Sequence, residues 1–194
     1  MLFEDNNRID LTLFPKQKIK PGFKPDSLTI LWLDKENLYR ELPQSGDKDY
    51  HIKKPTEKEF LDTCNEFWWV STYVVKGLMR NEIICSKQML ETVVRPMFMK
   101  VIEWKVGIEN KFGVSPGKGS RFLKSHLSDD LYEKILHTYS GSEIKENWKS
   151  LLLMTELFQQ TSNFVAGNLG FNIDKEDEQN TISYLKDQYE EYQK

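Results

Sequence analysis

Residues 65–78 read Asn65-Glu66-Phe67-Trp68-Trp69-Val70-Ser71-Thr72-Tyr73-Val74-Val75-Lys76-Gly77-Leu78, and the spacing of their side chains decides the fold. Phe60, Cys64, Phe67, Ser71, Val74 and Leu78 recur at helical intervals along one side, while Asn65, Trp69, Tyr73, Lys76 and Arg80 recur along another. Just upstream, Thr56 stands three residues before Glu59, a pairing in which each side chain satisfies a free backbone N–H of a helix start. The spacing predicts a helix over residues 56–80, about seven turns long. One face is fit for a core, and another presents aromatic and polar groups elsewhere.

Toward the C-terminus the pattern stays helical. Residues 82–108 form a second helical stretch in which Pro96 either kinks the chain or opens a new helix, and Gly113 ends it. Ser128 opens a short helix, and Ser142 opens a longer one through Trp148, Leu152, Leu157 and Phe164 to Gly170. Residues 180–192 read as a last, polar helix, and the charge run over 174–178 reads as a solvated turn.

The first part of the chain has a different character. Residues 1–3 and 8–14 are apolar runs separated by Glu4-Asp5-Asn6-Asn7, which is hairpin-turn chemistry, and Ile9, Leu11 and Leu13 alternate with Asp10 and Thr12. A lone hairpin is marginal in water, so such strands call for sheet partners. Residues 28–33 predict one more short strand, and residues 16–25 and 43–49 are rich in turn formers and read as connections. The expected fold is therefore α+β. Residues 1–52 are the remnant of a mixed sheet plus a linker, and residues 53–194 are a mainly α-helical bundle.

Composition excludes several function classes. Of 194 residues 39% are hydrophobic and 29% charged, and no apolar run reaches the roughly 18 residues of a membrane helix. Residues 1–10 lack the basic and apolar regions of a signal peptide. These features predict a cytoplasmic protein with no membrane partner. The formal charge of -3 disfavours nucleic-acid binding through bulk charge and is compatible with a cationic small ligand. The two cysteines, Cys64 and Cys85, sit in helical patterns without metal-ligand spacing and read as reduced core residues. His51, His126 and His137 show no metal spacing either.

The run over residues 2–13, the segment Lys53-Lys54-Pro55-Thr56-Glu57-Lys58-Glu59-Phe60 and the tryptophan-rich block 65–78 resemble successive blocks of the aminoglycoside 6-adenylyltransferases. Gly117-Lys118, Phe122-Leu123-Lys124 and Thr138-Tyr139-Ser140 continue the resemblance in order, so that it covers nearly the whole chain. That family is similar to the polymerase β-like nucleotidyltransferases, in which a small mixed sheet carries a glycine-serine turn, an Asp-x-Asp pair and a third carboxylate. A helical domain closes the cleft. The resemblance implies AMP transfer from MgATP to a hydroxyl of a streptomycin-type antibiotic, with release of pyrophosphate, and makes the antibiotic and ATP the expected partners. Asp10, between Ile9 and Leu11, matches the third carboxylate, as metal ligand or proton acceptor. The glycine-serine turn and the Asp-x-Asp pair have no counterpart, which implies a truncated reading frame, a domain fragment or a degraded gene.

Within the helix over 56–80, Lys76 and Arg80 lie one turn apart and can reach an anionic triphosphate, or are simply exposed cations near a helix end. Trp69 and Tyr73, four apart, suit stacking on a purine or a sugar ring, although such pairs are more often core. Glu66 suits a guanidinium or ammonium group of the antibiotic. The stretch 113–119 invites comparison with a phosphate-binding P-loop but fails it, being one residue short and carrying Gly119 where Ser or Thr is required. It reads as a connection in which Lys118, Arg121 and Lys124 make a basic patch, with Lys118 and Lys124 the expected phosphate contacts. Two rival readings remain, a non-catalytic helical binding module and a nucleotidyltransferase for another small hydroxylated substrate. Oligomeric state is not readable from the sequence.

Overall fold

Helix α1 (Glu57–Met79) begins where its capping box requires: Thr56 accepts from the Glu59 backbone N–H at 3.2 Å, and the Glu59 carboxylate accepts from the Thr56 backbone N–H at 2.9 Å. In the computed structural model, Phe60, Phe67, Ser71, Val74 and Leu78 on its inner face are essentially buried. Gly77 allows the close turn that follows, because a methyl group there would overlap Ser86 Oγ. Ser86 Oγ in turn donates toward the Val74 carbonyl at 3.3 Å.

The following helical stretch comprises α2 (Ile83–Met89), a five-residue π-helical turn (Leu90–Val94) and α3 (Arg95–Glu109). Pro96 stands in the first turn of α3, where its missing N–H is least harmful. The stretch ends at Asn110, three residues before the expected Gly113, and Lys111 and Phe112 take positive φ values of 53° and 57°. Next come α4 (Asp129–His137), capped by Ser128, and α5 (Ile144–Leu169), closed by Gly170 in the left-handed conformation. Helix α6 (Lys175–Tyr192) starts inside the charge run that the sequence suggests is a turn, because Asp174 caps it by accepting from the Glu176 N–H at 2.9 Å.

Helix α5 runs antiparallel to α1. Phe158 stacks face to face on Phe67, with centroids 3.6 Å apart and planes 2° from parallel, while Phe171 beyond its end meets Phe60 at 5.5 Å. Trp68 packs edge-on against both members of the stack, at 5.0 and 5.4 Å. Helix α6 runs alongside α1 in the same direction. The chain entering it is tied to the start of α1 by Asn172 N–H donating to Glu57, and its last turns bring Tyr189 and Tyr192 onto Trp148 at the start of α5. Cys64 is buried, whereas Cys85 is exposed and so is not the core residue that its pattern suggests. No helix among the described residues is long and apolar enough to cross a membrane.

The structure describes residues 1–18, 25–37 and 42–194 and divides into two units, residues 1–49 and 50–194. The α+β expectation is not met. Among the described residues no strand forms, and the sole strand-like pairing is an isolated antiparallel bridge between Leu2 and Arg8. The hairpin turn itself exists, with Asn6 at φ 65° and the Ile9 N–H donating to the Met1 carbonyl at 2.9 Å. Beyond it Leu13 is 85% and Trp32 93% exposed, and neither residues 10–14 nor 28–33 belong to a strand. The physical reason is that a two-stranded pairing buries too little apolar surface to order extended chain without further partners. Order in this unit comes from polar contacts instead. The Ser27 N–H donates to Asp49 at 2.8 Å and the Asp49 N–H donates back to Ser27 Oγ at 3.1 Å. Of the connection read over 16–25, positions 19–24 lie outside the described residues.

A polypeptide of residues 50–194 should unfold in urea in one cooperative step, and Phe158→Ala within it should lower stability by about 3–5 kcal/mol, the usual loss for a buried aromatic. A gradual melt without a transition would show that the helices depend on residues 1–49.

Candidate functional site

The outer face of α1 and the facing side of α6 enclose a cleft of about 490 Å³. From α1 it is lined by Asn65, Trp68, Trp69, Thr72, Tyr73 and Lys76. From α6 it is lined by Asp177, Asn180, Thr181 and Tyr184. The apolar stripe of α1 turns inward to α5, which leaves its second stripe to form a wall. Trp69 is 62% exposed and donates from Nε1 to Tyr73 Oη at 3.0 Å, with the two rings edge to face. Lys76 Nζ lies 5.0 Å from the Tyr73 ring centroid, so the aromatic pair carries a cation at one end.

The structure thus brings three of the sequence-predicted residues, Trp69, Tyr73 and Lys76, into one cleft. It does not bring the others there. Glu66 and Arg80 are exposed on or at the end of α1 but do not line the cleft. Lys118 and Lys124 are exposed in the connection between α3 and α4, and Lys124 Nζ stands 5.7 Å from the Tyr132 ring centroid. That connection is well tied: Ser120, at φ 59°, donates from Oγ to Glu103 at 2.6 Å, and a side chain on Gly117 would collide with Phe122. Asp10 lies in the other unit, exposed and in an ion pair with Arg8 at 2.9 Å.

Sequence reasoning missed the α6 wall entirely. The available signal was that Asp177, Asn180, Thr181 and Tyr184 recur at helical spacing, which becomes visible once the helix is started at Asp174 rather than at residue 180.

The block Thr138-Tyr139-Ser140 serves a buried polar network. Arg95, 6% exposed, donates to Thr138 Oγ1 at 2.8 Å and to the Thr138 carbonyl at 2.9 Å, pairs with Glu91, and lies 3.7 Å from the Tyr139 ring centroid. Ser150 Oγ donates to the same carbonyl, and Ser140 Oγ donates to Asn147. Burial alone would raise the Glu91 carboxyl, but the hydrogen bond and charge of Arg95, joined by Lys87, outweigh it and hold the group below its ordinary value. Burial, helped by the charge of Glu178, pushes the Cys64 thiol up to about 12, so it is not a nucleophile near neutral pH.

Among the described residues no group of three His, Cys, Asp or Glu side chains is placed to hold a metal ion. The Asp10 carboxylate is engaged by Arg8, and magnesium calls for carboxylates together with phosphates and water. The described residues do not by themselves fit a resident magnesium ion.

Residues 1–188 match the family model described as streptomycin adenylyltransferase. An aminoglycoside 6-adenylyltransferase of Bacillus subtilis (strain 168) is 40% identical over 179 residues, which are 92% of this chain and 63% of the relative. One from Campylobacter jejuni is 39% identical over 178 residues, 92% of this chain and 62% of the relative. A crystal structure of an aminoglycoside 6-adenyltransferase from Bacillus subtilis is similar with a TM-score of 0.64 and 39% identity, over 74% of this chain and 54% of that one. The chain thus spans somewhat under two thirds of the length of these curated relatives.

The Glu91 linkage gives a pH prediction. A carboxylate held lower in the folded than in the unfolded state adds stability that is complete above its unfolded value and is lost as pH falls through the folded one. Glu91→Gln should therefore lose less stability than the parent chain between about pH 5 and 3. It should also be less stable at neutral pH by about 1–3 kcal/mol, because Arg95 loses a partner. Urea midpoints measured across that range test this, and parallel curves for the two proteins would refute it.

Proposed function

The chain belongs to the streptomycin adenylyltransferase family, and on that premise we propose that it serves an aminoglycoside 6-adenylyltransferase, which transfers AMP from MgATP to a hydroxyl of a streptomycin-type antibiotic and releases pyrophosphate. Its part over residues 53–194 is the domain that holds the antibiotic, and it works in the cytoplasm without membrane or nucleic-acid partners. The observation that carries this reading is the convergence of Trp69, Tyr73 and Lys76 on one cleft. A sugar ring presents apolar C–H faces that the Trp69–Tyr73 pair can cover, and the Lys76 ammonium, one turn away, suits a phosphate.

The remaining assignments stand on charge, exposure and likeness to the family. Arg80, Lys118 and Lys124 form no ion pair with a described residue and are free to meet nucleotide phosphates. Glu66, exposed beside the cleft-lining Asn65, suits an outlying ammonium group of the antibiotic. Asp10 is the proposed third carboxylate, as metal ligand or proton acceptor, once Arg8 releases it. ATP would bring magnesium as part of the substrate, and such a metal would supply charge neutralisation at the transferred phosphoryl group. With no three-carboxylate cluster among the described residues, a second reading is favoured for the chain as it stands: it binds without turnover.

Streptomycin titrated into the chain should shift its tryptophan emission saturably, and Trp69→Ala should weaken that binding by about tenfold, the scale of a lost aromatic contact. Lys76→Ala should weaken ATP binding without weakening streptomycin binding. Binding of spectinomycin but not streptomycin would move the reading to another hydroxylated acceptor. Pyrophosphate release that requires both ATP and streptomycin, from the purified chain, would overturn the binding-only reading.

A further inference from the structure

We infer that α6 is the specificity wall of this cleft, and that Asp177 selects cationic acceptors by receiving a guanidinium or ammonium group of the ligand. The inference rests on the acceptor reading of the cleft given above and adds the residue that would set its charge preference.

Three observations converge. First, the cleft has electrical polarity. Because α6 runs parallel to α1, Asp177 in its first turn lies toward the Asn65 end, while Lys76 stands at the other end, about 16 Å further along α1 at 1.5 Å per residue. A polycation entering the cleft is drawn to the Asp177 end and repelled from the Lys76 end, which fixes its direction. Second, the Asp177 end carries unspent hydrogen-bonding capacity. Among the described residues Asp177 has no ion-pair partner, and the side chains of Asn65, Asn180 and Thr181 have no hydrogen-bond partner. Third, Trp68 lines the cleft at 6% exposure, and its indole N–H is buried without a partner. Buried donors are nearly always satisfied, so an unpaired one at the edge of a cleft points to an acceptor atom that arrives with a ligand.

Together these describe a ligand with a cationic group for Asp177, hydroxyls or amines for Asn65, Asn180 and Thr181, and an oxygen acceptor for Trp68. A polyhydroxylated aminocyclitol has that combination. A neutral sugar lacks the cation, and a nucleotide, whose phosphates suit the Lys76 end, has no cationic group to offer Asp177. Asp177 also stands where a carboxylate favours the helix dipole. A purely structural role would change thermal stability and leave ligand discrimination untouched.

The test compares Asp177→Asn and Asp177→Glu with the parent chain by calorimetric titration with streptomycin at several salt concentrations. Asp177→Asn should weaken binding at least tenfold and flatten its salt dependence, whereas Asp177→Glu should restore both at least in part. Equal affinities and salt slopes for all three proteins would overturn the inference while leaving the acceptor reading in place. If the parent chain does not bind streptomycin, the acceptor reading fails, and agmatine, a small guanidinium dication, tests Asp177 separately. Agmatine should shift the Asn180 and Thr181 amide signals in the parent chain and not in Asp177→Asn. The absence of those shifts in the parent chain, or their persistence in the variant, would overturn the inference.

Discussion

The face-to-face contact of Phe67 with Phe158 is the joint on which the helical unit depends. It sets α5 antiparallel to α1 at close range, and Trp68 can wedge edge-on against both rings only because they lie flat on one another. With the inner stripe of α1 committed to α5, the stripe that carries Trp69, Tyr73 and Lys76 has nowhere to go but outward. The cleft is thus a by-product of core packing, and Trp69 and Tyr73, which line it, stay exposed because the core is already filled.

A second constraint acts on the far side of the bundle. Arg95 is a buried charge, which is tolerable only with its donors met, and it meets them through Glu91, both oxygens of Thr138 and the face of Tyr139. The π-helical turn Leu90–Val94 immediately precedes it. A π turn adds a residue to the helix and so shifts the facing of everything after it, and here Arg95 comes out facing the end of α4. The Thr138-Tyr139-Ser140 block, which from sequence is only a mark of family likeness, becomes an anchor for the α4–α5 connection.

The helices were legible wherever local chemistry and packing agree. The Thr56–Glu59 box, the two stripes of α1, the Ser128 cap and Gly170 each have one dominant physical reading, and the structure realises each. Legibility failed where the outcome depends on partners that are not adjacent in sequence. Ile9, Leu11 and Leu13 alternate as a strand should, but alternation specifies only a face and does not supply a neighbour to pair with. Cys85 stands beside Ile84 on the solvent side of α2, while Ile83, Met89 and Leu90 pack on the core. In the cleft, Trp69, Tyr73 and Lys76 could be grouped from the sequence because they share one helix. Asp177, Asn180 and Thr181 could not be joined to them, since only tertiary packing of α6 on α1 makes them neighbours.

Helix α6 buries only Glu178 and Leu185 of its eighteen residues, and one Glu178 carboxylate oxygen is left without a partner. Its grip on the bundle is therefore weak compared with that of α5, which buries side chains along its whole length. Of the two walls of the cleft one is rigid and the other is lightly held, and lightly held elements open locally at low free energy. A ligand that bridges the two walls would gain affinity less from filling a preformed hole than from clamping α6 down. Amide exchange along α6 would then report occupancy more sensitively than any signal from the core.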